Sequence, residues 1–397
     1  MKFWRYIMML FLVMQSYHGT AQTIFDASIR PADTKPEKYV PLLKNMRVAL
    51  VINQTSQVRD QSLLDIMISR NVKVVKIFVP EHGFRGTEDA GAKVDNTVDS
   101  ATQLPVISLY GSHKKPTPED LAGIDVVVYD LQDVGARFYT YISTLEYCME
   151  ACAENHKQLI ILDRPDPNGF YVDGPVLEKE NKSFVGMQPI PIVYGMTCGE
   201  YAEMLAGEKW FNNAAGIDLK VIRCVNYTHK KKYKLPVAPS PNLRNMAAVY
   251  AYPSLCLFEG TAISVGRGTD LPFQQYGCPD FTGKFTYSFI PQSREGAKKP
   301  PYENKQCYGE VVGVTPGEVL QKTNNRLCLT WLIKGYHLYP DKDKFFNAFF
   351  IKLAGTASLE DQVKHGATED EIRANWQKDI IAFKKIRKKY LLYDDFE

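Results

Sequence analysis

The sequence lacks the short glycine motifs that mark the common nucleotide and hydrolase sites. No GxGxxG fingerprint joins a predicted strand to a helix, which argues against a nicotinamide or flavin cofactor. A GxxxxGK[ST] loop and a GxSxG elbow are also missing, which argues against an NTPase and against a serine hydrolase. The sequence therefore predicts no organic cofactor.

Metal-ligand spacing is missing as well. The eight cysteines form no CxxC pair, and no HExxH motif occurs. Glu81, His82, Asp89 and Asp95 carry ligand-type side chains, but adjacent residues diverge on a strand, so no metal is predicted. Because the cysteines lie mostly inside apolar runs, we expect buried thiols; one or two disulfides in the C-terminal half are the alternative.

Charge of one sign is not in excess, because 48 basic and 45 acidic residues leave a net charge of +3. No basic stripe indicates a nucleic-acid partner. The longest basic run, residues 229–234, is interpreted as a solvated loop.

Long apolar runs are confined to the N-terminus. Lys2 and Arg5 precede a short apolar stretch, and Gly19-Thr20-Ala21 follows it, as in a secretory signal peptide. We predict that residues 1–21 direct export to the periplasm or the extracellular space. The stretch is too short for a stable membrane span, and no later segment is long and apolar enough for one.

Strands and helices alternate from about residue 46 onward. Strands are predicted at 46–53, 72–80, 104–111, 124–135, 158–169 and 218–227, and helices at 62–70, from Thr117, and at 139–157, 197–211 and 368–393. This order predicts an α/β fold: a Rossmann-like, doubly wound, mostly parallel sheet over residues 22–235. A smaller C-terminal α/β (α+β) domain over 236–397 is predicted to close the cleft.

Polar side chains lie at the ends of four predicted strands or just after them. They are Glu81, His82 and Arg85; Tyr110; Gln132, Asp133, Arg137 and Tyr139; and Asp163, Arg164 and Asn168. Because ligands bind at the carboxyl ends of parallel strands, we expect one cleft lined by carboxylates, guanidiniums and an imidazole. Paired carboxylates with tyrosines suit glycoside hydrolysis, with Glu81 the best proton donor and His82 beside it. The alternatives are that Glu81 caps a turn and that the acids of the "DRPDPNG" segment only form turns.

A second glycine-rich stretch covers residues 258–270. Its Glu259 and Arg267 are flanked by glycines, which let the backbone approach a ligand, and arginine pairs with carboxylates in a fork. The alternative is a structural loop. Tyr194 lies in a similar loop with a weaker case.

Several ordered blocks resemble one family. "VPEHGFRG", "DLQDVGARFYTYISTL", "LDRPDPNGFYVDGPVLE", "VYGMTCGEYAEML", "FEGTAISVGRGTDLPF" and "IRKKYLLY" are similar to the NamZ-type exo-β-N-acetylmuramidases. The resemblance covers nearly the whole chain after residue 44. It implies an exported hydrolase that releases N-acetylmuramic acid from the non-reducing end of peptidoglycan fragments, with Glu81 as the catalytic glutamate.

The expected substrate carries a lactyl carboxylate, which calls for a cation in the pocket. We predict Arg137 or Arg267 in this role, with Arg85 third. The group opposite Glu81 stays open among Asp133, Asp163, Glu259, Tyr139 and the substrate's own acetamido group. A non-catalytic muropeptide-binding protein and an esterase or amidase at the lactyl-peptide junction are the competing functions.

Overall fold

The computed structural model describes residues 24–86, 89 and 96–397. The predicted signal peptide and Asp95 lie outside the described residues. The strands are β1 Arg47–Ile52, β2 Gln57–Val58, β3 Gln61–Ser62, β4 Lys73–Val79, β5 Thr97–Val98, β6 Pro105–Ser108, β7 Val126–Asp130, β8 Gln158–Leu162, β9 Asp218–Ile222, β10 Gln275–Cys278, β11 Tyr287–Phe289 and β12 Cys307–Val311. The predicted strands are all present, each shorter at its polar end.

The main sheet has seven strands in the order β5-β6-β4-β1-β7-β8-β9. All neighbours pair in parallel except β5, which runs antiparallel to β6. The chain builds one side of β1 through β4 and β6 and then crosses to the other side at β7. This reversal is the switch point at which doubly wound sheets bind ligands. The predicted fold class is confirmed.

Strand β1 shows why its sequence is almost continuously apolar. Val48, Leu50 and Ile52 contribute to the core on one face of the sheet, whereas Ala49 and Val51 contribute to the core on the other. Because successive side chains point to opposite faces, a strand covered on both sides needs apolar residues at every position.

Helices cover both faces of the sheet and build most of the C-terminal domain. The α-helices are α1 Pro36–Tyr39, α2 Leu63–Ser69, α3 Tyr141–Glu154, α4 Cys198–Gly207, α5 Met246–Leu255, α6 Pro316–Thr323, α7 Thr330–Leu338, α8 Phe349–Ala354, α9 Ser358–Lys364 and α10 Glu369–Arg387. Short 3-10 helices span Ala32–Thr34, Val40–Leu43, Lys179–Asn181, Ala214–Gly216, Cys256–Gly260, Pro279–Phe281 and Lys342–Lys344. Helices α4 and α10 begin with complete capping boxes at Thr197 and Thr368, as their sequences predict.

The helix predicted to begin at Thr117 does not form. Thr117 and Asp120 exchange the reciprocal hydrogen bonds of a capping box, at 2.9 and 3.2 Å. The chain nevertheless continues as turns and reaches β7 after Gly123, which has φ of 73°. Thr117 thus forms a cap, but too few residues separate it from Gly123 to propagate a helix.

The C-terminal domain contains a three-stranded antiparallel sheet in the order β10-β12-β11, surrounded by α5 to α10. All eight cysteines are buried and unpaired, which confirms the prediction of buried thiols.

In the basic run of residues 229–234, His229 is fully buried and pairs with Glu200 at 3.0 Å, so only the lysines of this run fit the predicted solvated loop. None of the helices in the described part of the chain is long and apolar enough to span a membrane.

Candidate active site

A cavity of about 620 Å³ lies between the two domains, beyond the carboxyl ends of β4 and β6. The N-terminal domain contributes Glu81, His82, Asp89, Tyr110, Gly111, Lys114, Phe138, Tyr139, Thr140, Phe184 and Val185 to its lining. The C-terminal side contributes Ser240, Leu243, Tyr252, Cys256, Glu259, Arg267, Phe273, Gly296, Ala297, Lys299, Pro300, Phe349 and Leu353. This volume is in the range of pockets that enclose small ligands.

A tight turn places Glu81 at the cavity. The chain leaves β4 at Pro80, and the N–H of Gly83 donates to the Pro80 carbonyl at 3.1 Å. His82 occupies the third position of this turn with φ of 72°, a left-handed conformation that normally selects glycine. His82 is also buried, with 6% of its surface exposed. A non-glycine residue held in this region costs on the order of 1 kcal/mol or more, and such strain concentrates at functional sites.

The carboxylate of Glu81 is held by helix α3. The Thr140 hydroxyl donates to Oε2 of Glu81 at 2.8 Å. Thr140 is the N-cap residue of α3, yet its side chain makes no capping hydrogen bond to the helix. The hydroxyl is therefore directed to the active-site carboxylate, a partner that the sequence pattern did not reveal.

The C-terminal wall of the cavity is aromatic and buried. Tyr252 packs edge-on against Phe138 at 5.4 Å and against Phe273 at 5.0 Å between ring centroids. Tyr139 also packs edge-on against Tyr252, at 5.9 Å, and its hydroxyl donates to the Pro239 carbonyl at 2.7 Å. Since only 1% of Phe273 and 7% of Tyr252 are exposed, these rings form a buried part of the cavity wall.

An ion pair lines the same part of the cavity. Nε of Arg267 lies 2.6 Å from Oε1 of Glu259, and the guanidinium lies over the Phe273 ring at 4.9 Å. The Cys256 thiol approaches Oε2 of Glu259 at 3.6 Å. Burial raises the pKa of this thiol well above its usual value, so Cys256 is a neutral neighbour of the ion pair.

Asp133 and Asp163, predicted as catalytic, do not line the cavity. Asp133 accepts from the Tyr194 hydroxyl and from the Gly135 N–H. Asp163 accepts from the Thr197 hydroxyl at 2.7 Å and from Tyr393 at 2.6 Å. Burial raises the pKa of Asp133 to about 7 and that of Asp163 to about 6. Both acids hold loops behind the site.

Arg137 is likewise not at the cavity. Its Nη1 donates to the carbonyls of Pro175 and Ile190, at 2.8 and 2.7 Å, and its Nη2 donates to those of Leu353 and Ala354, at 2.9 and 2.7 Å. The last two residues end helix α8, where a cation complements the helix dipole. Arg137 is fully buried and fastens the C-terminal domain to the N-terminal domain.

The other predicted site residues that do not line the cavity either form hydrogen bonds or ion pairs with other parts of the protein or line a different cavity. Arg164 bridges Asp130 and Asp33 in a buried network, at 2.6 and 2.5 Å. Gln132 and Asn168 donate to backbone carbonyls, and Tyr194 donates to Asp133. Arg85 is exposed and lines a separate cavity.

The structure thus brings together Glu81, His82, Tyr110, Tyr139, Glu259 and Arg267. The sequence reading missed Thr140, Lys114, Phe184 and Tyr252. A threonine at a helix start was available as a signal, whereas Phe184 lies in an aperiodic loop. Within the described residues, no three His, Cys, Asp or Glu side chains are grouped to hold a metal ion.

Comparisons with known proteins cover almost the entire chain. The family model for the N-terminal part of exo-beta-N-acetylmuramidase NamZ matches residues 48–247, and the C-terminal model matches residues 250–393. The chain is 37% identical over 382 residues to peptidoglycan beta-N-acetylmuramidase NamZ of Bacillus subtilis (strain 168), covering 91% of this chain and 90% of the relative.

Two solved structures, both of DUF1343 family proteins from Bacteroides fragilis NCTC 9343, share the fold. The protein BF0379 is 47% identical with a TM-score of 0.85, covering 92% of this chain and 99% of its own. The protein BF0371 is 29% identical with a TM-score of 0.77, covering 93% of this chain and 100% of its own.

Proposed function

This chain belongs to the NamZ family of exo-β-N-acetylmuramidases, and we propose that it releases terminal N-acetylmuramic acid from the non-reducing end of peptidoglycan fragments. One observation carries the proposal: a carboxylate, Glu81, and a guanidinium, Arg267, line the same interdomain cavity. The first supplies an acid for a glycosidic oxygen, and the second supplies a partner for the acidic sugar.

The shape of the cavity supports exo action. One part of its wall is buried, around Tyr252, Cys256 and Phe273, whereas Tyr110, Lys114, Phe184, Lys299 and Phe349 are partly or fully exposed. A pocket that buries a single sugar admits the end of a glycan chain and excludes an internal segment. The terminal sugar would therefore occupy the buried part.

Glu81 acts as the proton donor in this proposal. Thr140 fixes one carboxylate oxygen, so the other can be directed at the substrate. As the bond between the sugar C1 and the glycosidic oxygen breaks, Glu81 gives its proton to that oxygen, and it regains a proton from the attacking water. Glu259 or the substrate's acetamido oxygen would support the carbon centre from the other side.

Arg267 is the proposed partner of the lactyl carboxylate. Its Nε is engaged by Glu259, and a guanidinium carries further N–H donors on its two Nη atoms that suit a second carboxylate. A glucosaminyl unit lacks the lactyl group and would leave this partly buried cation without that partner. Arg137 cannot take this role, because it lies outside the cavity lining and both of its Nη atoms donate to carbonyls.

Export is proposed from residues 1–21 alone, which have the charged, apolar and small-residue regions of a signal peptide. The substrate supports the same location, because peptidoglycan lies outside the cytoplasmic membrane. Mass measurement of the mature protein from the periplasm or the medium tests this: an N-terminus near residue 22 is expected, and an intact N-terminus in the cytoplasm would contradict it.

Mass spectrometry of the products from a defined disaccharide-peptide series tests the function. Free N-acetylmuramic acid, with or without its peptide, is the expected product, together with N-acetylglucosamine. Release of peptide with the disaccharide intact would support an esterase or amidase. Binding without any product would support a muropeptide-binding protein.

A further inference from the structure

Phe184, at the mouth of the cavity, is held in a fixed position. It lies in a tight turn in which Ser183 and Gly186 exchange backbone hydrogen bonds at 2.9 and 3.0 Å. The Ser143 hydroxyl on α3 donates to the Phe184 carbonyl at 2.7 Å. The Tyr147 ring, one helical turn further, stacks on the Phe184 ring at 6.1 Å with 14° between the planes.

The same ring faces the cavity together with two residues that follow β6. Tyr110 lies 6.0 Å from the Phe184 ring centroid at a tilt of 55°, and the Lys114 ammonium lies 4.7 Å over the ring. All three side chains line the cavity and are partly exposed. Phe184 is only partly exposed, and the contacts from α3 hold the exposed part of its ring at the cavity.

Helix α3 links this aromatic group to the catalytic acid. Thr140 contacts Glu81, while Ser143 and Tyr147 hold Phe184. Residues three and four apart share one face of a helix, and the seven residue steps from Thr140 to Tyr147 span roughly 10 Å. One rigid element therefore fixes the distance between the proton donor and the aromatic ring.

We propose that Phe184, Tyr110 and Lys114 form a subsite for the leaving-group sugar, the neutral 2-acetamido sugar that follows the cleaved bond. This inference rests on the proposed function, because it requires a glycosidic bond at Glu81. The apolar face of the pyranose ring lies on Phe184, and the Lys114 side chain moves off the ring to donate to sugar hydroxyls. The muramyl unit then fills the part of the cavity beside Arg267, with the bond between the two sugars at Glu81.

Two substrates with the same muramyl unit test the subsite. One is the disaccharide of N-acetylmuramic acid and N-acetylglucosamine; the other is β-muramyl fluoride, whose leaving group is too small to reach Phe184. In Phe184→Leu, we expect the ratio of kcat/KM for the disaccharide to kcat/KM for the fluoride to fall about tenfold. We expect the same direction, through KM, in Lys114→Ala.

The chain offers a matched control, because Lys232 lies over the Phe170 ring at 4.0 Å away from the cavity. Lys232→Ala should leave the ratio unchanged. An equal loss on both substrates in Phe184→Leu, or no loss on either, would overturn the subsite. If the unaltered protein releases no muramic acid from either substrate, the proposed function fails instead. If Phe184→Leu fails to fold, Lys114→Ala carries the test, and an unchanged ratio in Lys114→Ala would overturn the subsite. Phe184→Tyr, which keeps the ring, should retain the ratio of the unaltered protein.

Discussion

The Thr140 hydroxyl donates to Glu81 at 2.8 Å, so the residue that begins helix α3 serves the active site and not its own helix. An N-cap threonine normally accepts a hydrogen bond from a backbone N–H in the first turn, which stabilises a protein by about 1 kcal/mol. Helix α3 forgoes that contribution. Its interior is strongly apolar, with Ile142, Leu145 and Met149 buried, and this packing makes a side-chain cap dispensable.

Removing the Thr140 hydroxyl should therefore reduce activity more than stability. Thr140→Val is expected to lower kcat about tenfold or more, because the hydroxyl positions the carboxyl group that donates the proton, and a misplaced catalytic group can lower a rate by up to about 10²-fold. Thr140→Ser keeps the hydroxyl and should retain most of the activity. The measurements are steady-state kinetics on the disaccharide and urea unfolding of each variant.

Thr368 provides the matched control, since its side chain completes a real capping box on α10. Thr368→Val should lose about 1 kcal/mol of stability and keep its activity. Equal kinetics in Thr140→Val and the unaltered protein would show that the contact does not position Glu81.

Glu81→Gln should abolish turnover while the cavity still binds substrate. A general acid contributes roughly 10²- to 10⁴-fold to a rate, and glutamine keeps the acceptor for Thr140 but cannot supply the proton. Calorimetric titration with the disaccharide and a turnover assay separate the two effects. Glu310→Gln, at an ion pair with Lys334 outside the cavity, is the control. Undiminished turnover in Glu81→Gln would contradict the assigned acid.

Arg267→Met should reduce the preference for muramyl over glucosaminyl disaccharides. We expect a loss of roughly 10- to 100-fold in the ratio of kcat/KM values, from the removal of one charge-assisted interaction. Because the substitution also leaves Glu259 without its partner, the pair Glu259→Gln with Arg267→Met should be measured alongside. Arg294→Met, which removes an exposed pair with Asp270, is the control. An unchanged ratio of kcat/KM values in Arg267→Met and in the double variant would show that Arg267 does not contribute to substrate recognition.

The order of strands and helices was predictable because each strand buried on both faces is almost entirely apolar. The position of the candidate site was predictable because ligands bind at the carboxyl ends of parallel strands. The direction of individual side chains was not. Glu81 and Asp163 both follow buried strands, yet Glu81 lines the cavity whereas Asp163 is bound by Thr197 and Tyr393 behind it. Tyr393 lies 230 residues after Asp163 in the sequence, so no local sequence pattern predicts that it binds Asp163.

The two arginines predicted to bind the lactyl carboxylate also show that the sequence does not give the direction of a side chain. Arg137 and Arg267 both lie near glycines in polar segments, and only the folded chain separates them. Arg137 meets the end of helix α8, more than two hundred residues away, whereas Arg267 meets Glu259 within the same loop. Arg267 lines the cavity and has a partner that is close in sequence. Arg137 binds carbonyls that are distant in sequence and does not line the cavity.

Arg137→Met is expected to destabilise the protein and to leave substrate preference intact. The change leaves buried carbonyls without donors, and each such group costs roughly 1–3 kcal/mol, so a loss of about 3 kcal/mol or more is expected. Urea unfolding measures it, and the ratio of muramyl to glucosaminyl turnover at low temperature is the second readout. Loss of the preference for muramyl over glucosaminyl substrates, with unchanged stability, would show that Arg137 binds the substrate.

Asp133 should make the protein less stable as the pH rises from about 4 to about 7. Burial raises the pKa of this carboxyl from 3.8 to about 7, so between these values the folded state binds a proton that the unfolded state has released. Stability then falls with pH, by at most about 1.4 kcal/mol per pH unit for one group.

Asp133→Asn mimics the neutral acid and cannot titrate, so its stability should decline less over the same window. Unfolding in urea at pH 5, 6, 7 and 8, with the variant compared against the unaltered protein, isolates this group from the other acids. The Tyr194→Phe variant is the companion, because its hydroxyl donates to Asp133 and favours the charged form. Without that donor the pKa of Asp133 should rise further, and the decline in stability should extend above pH 7. Parallel stability curves for Asp133→Asn and the unaltered protein would show that Asp133 keeps an ordinary pKa despite its burial.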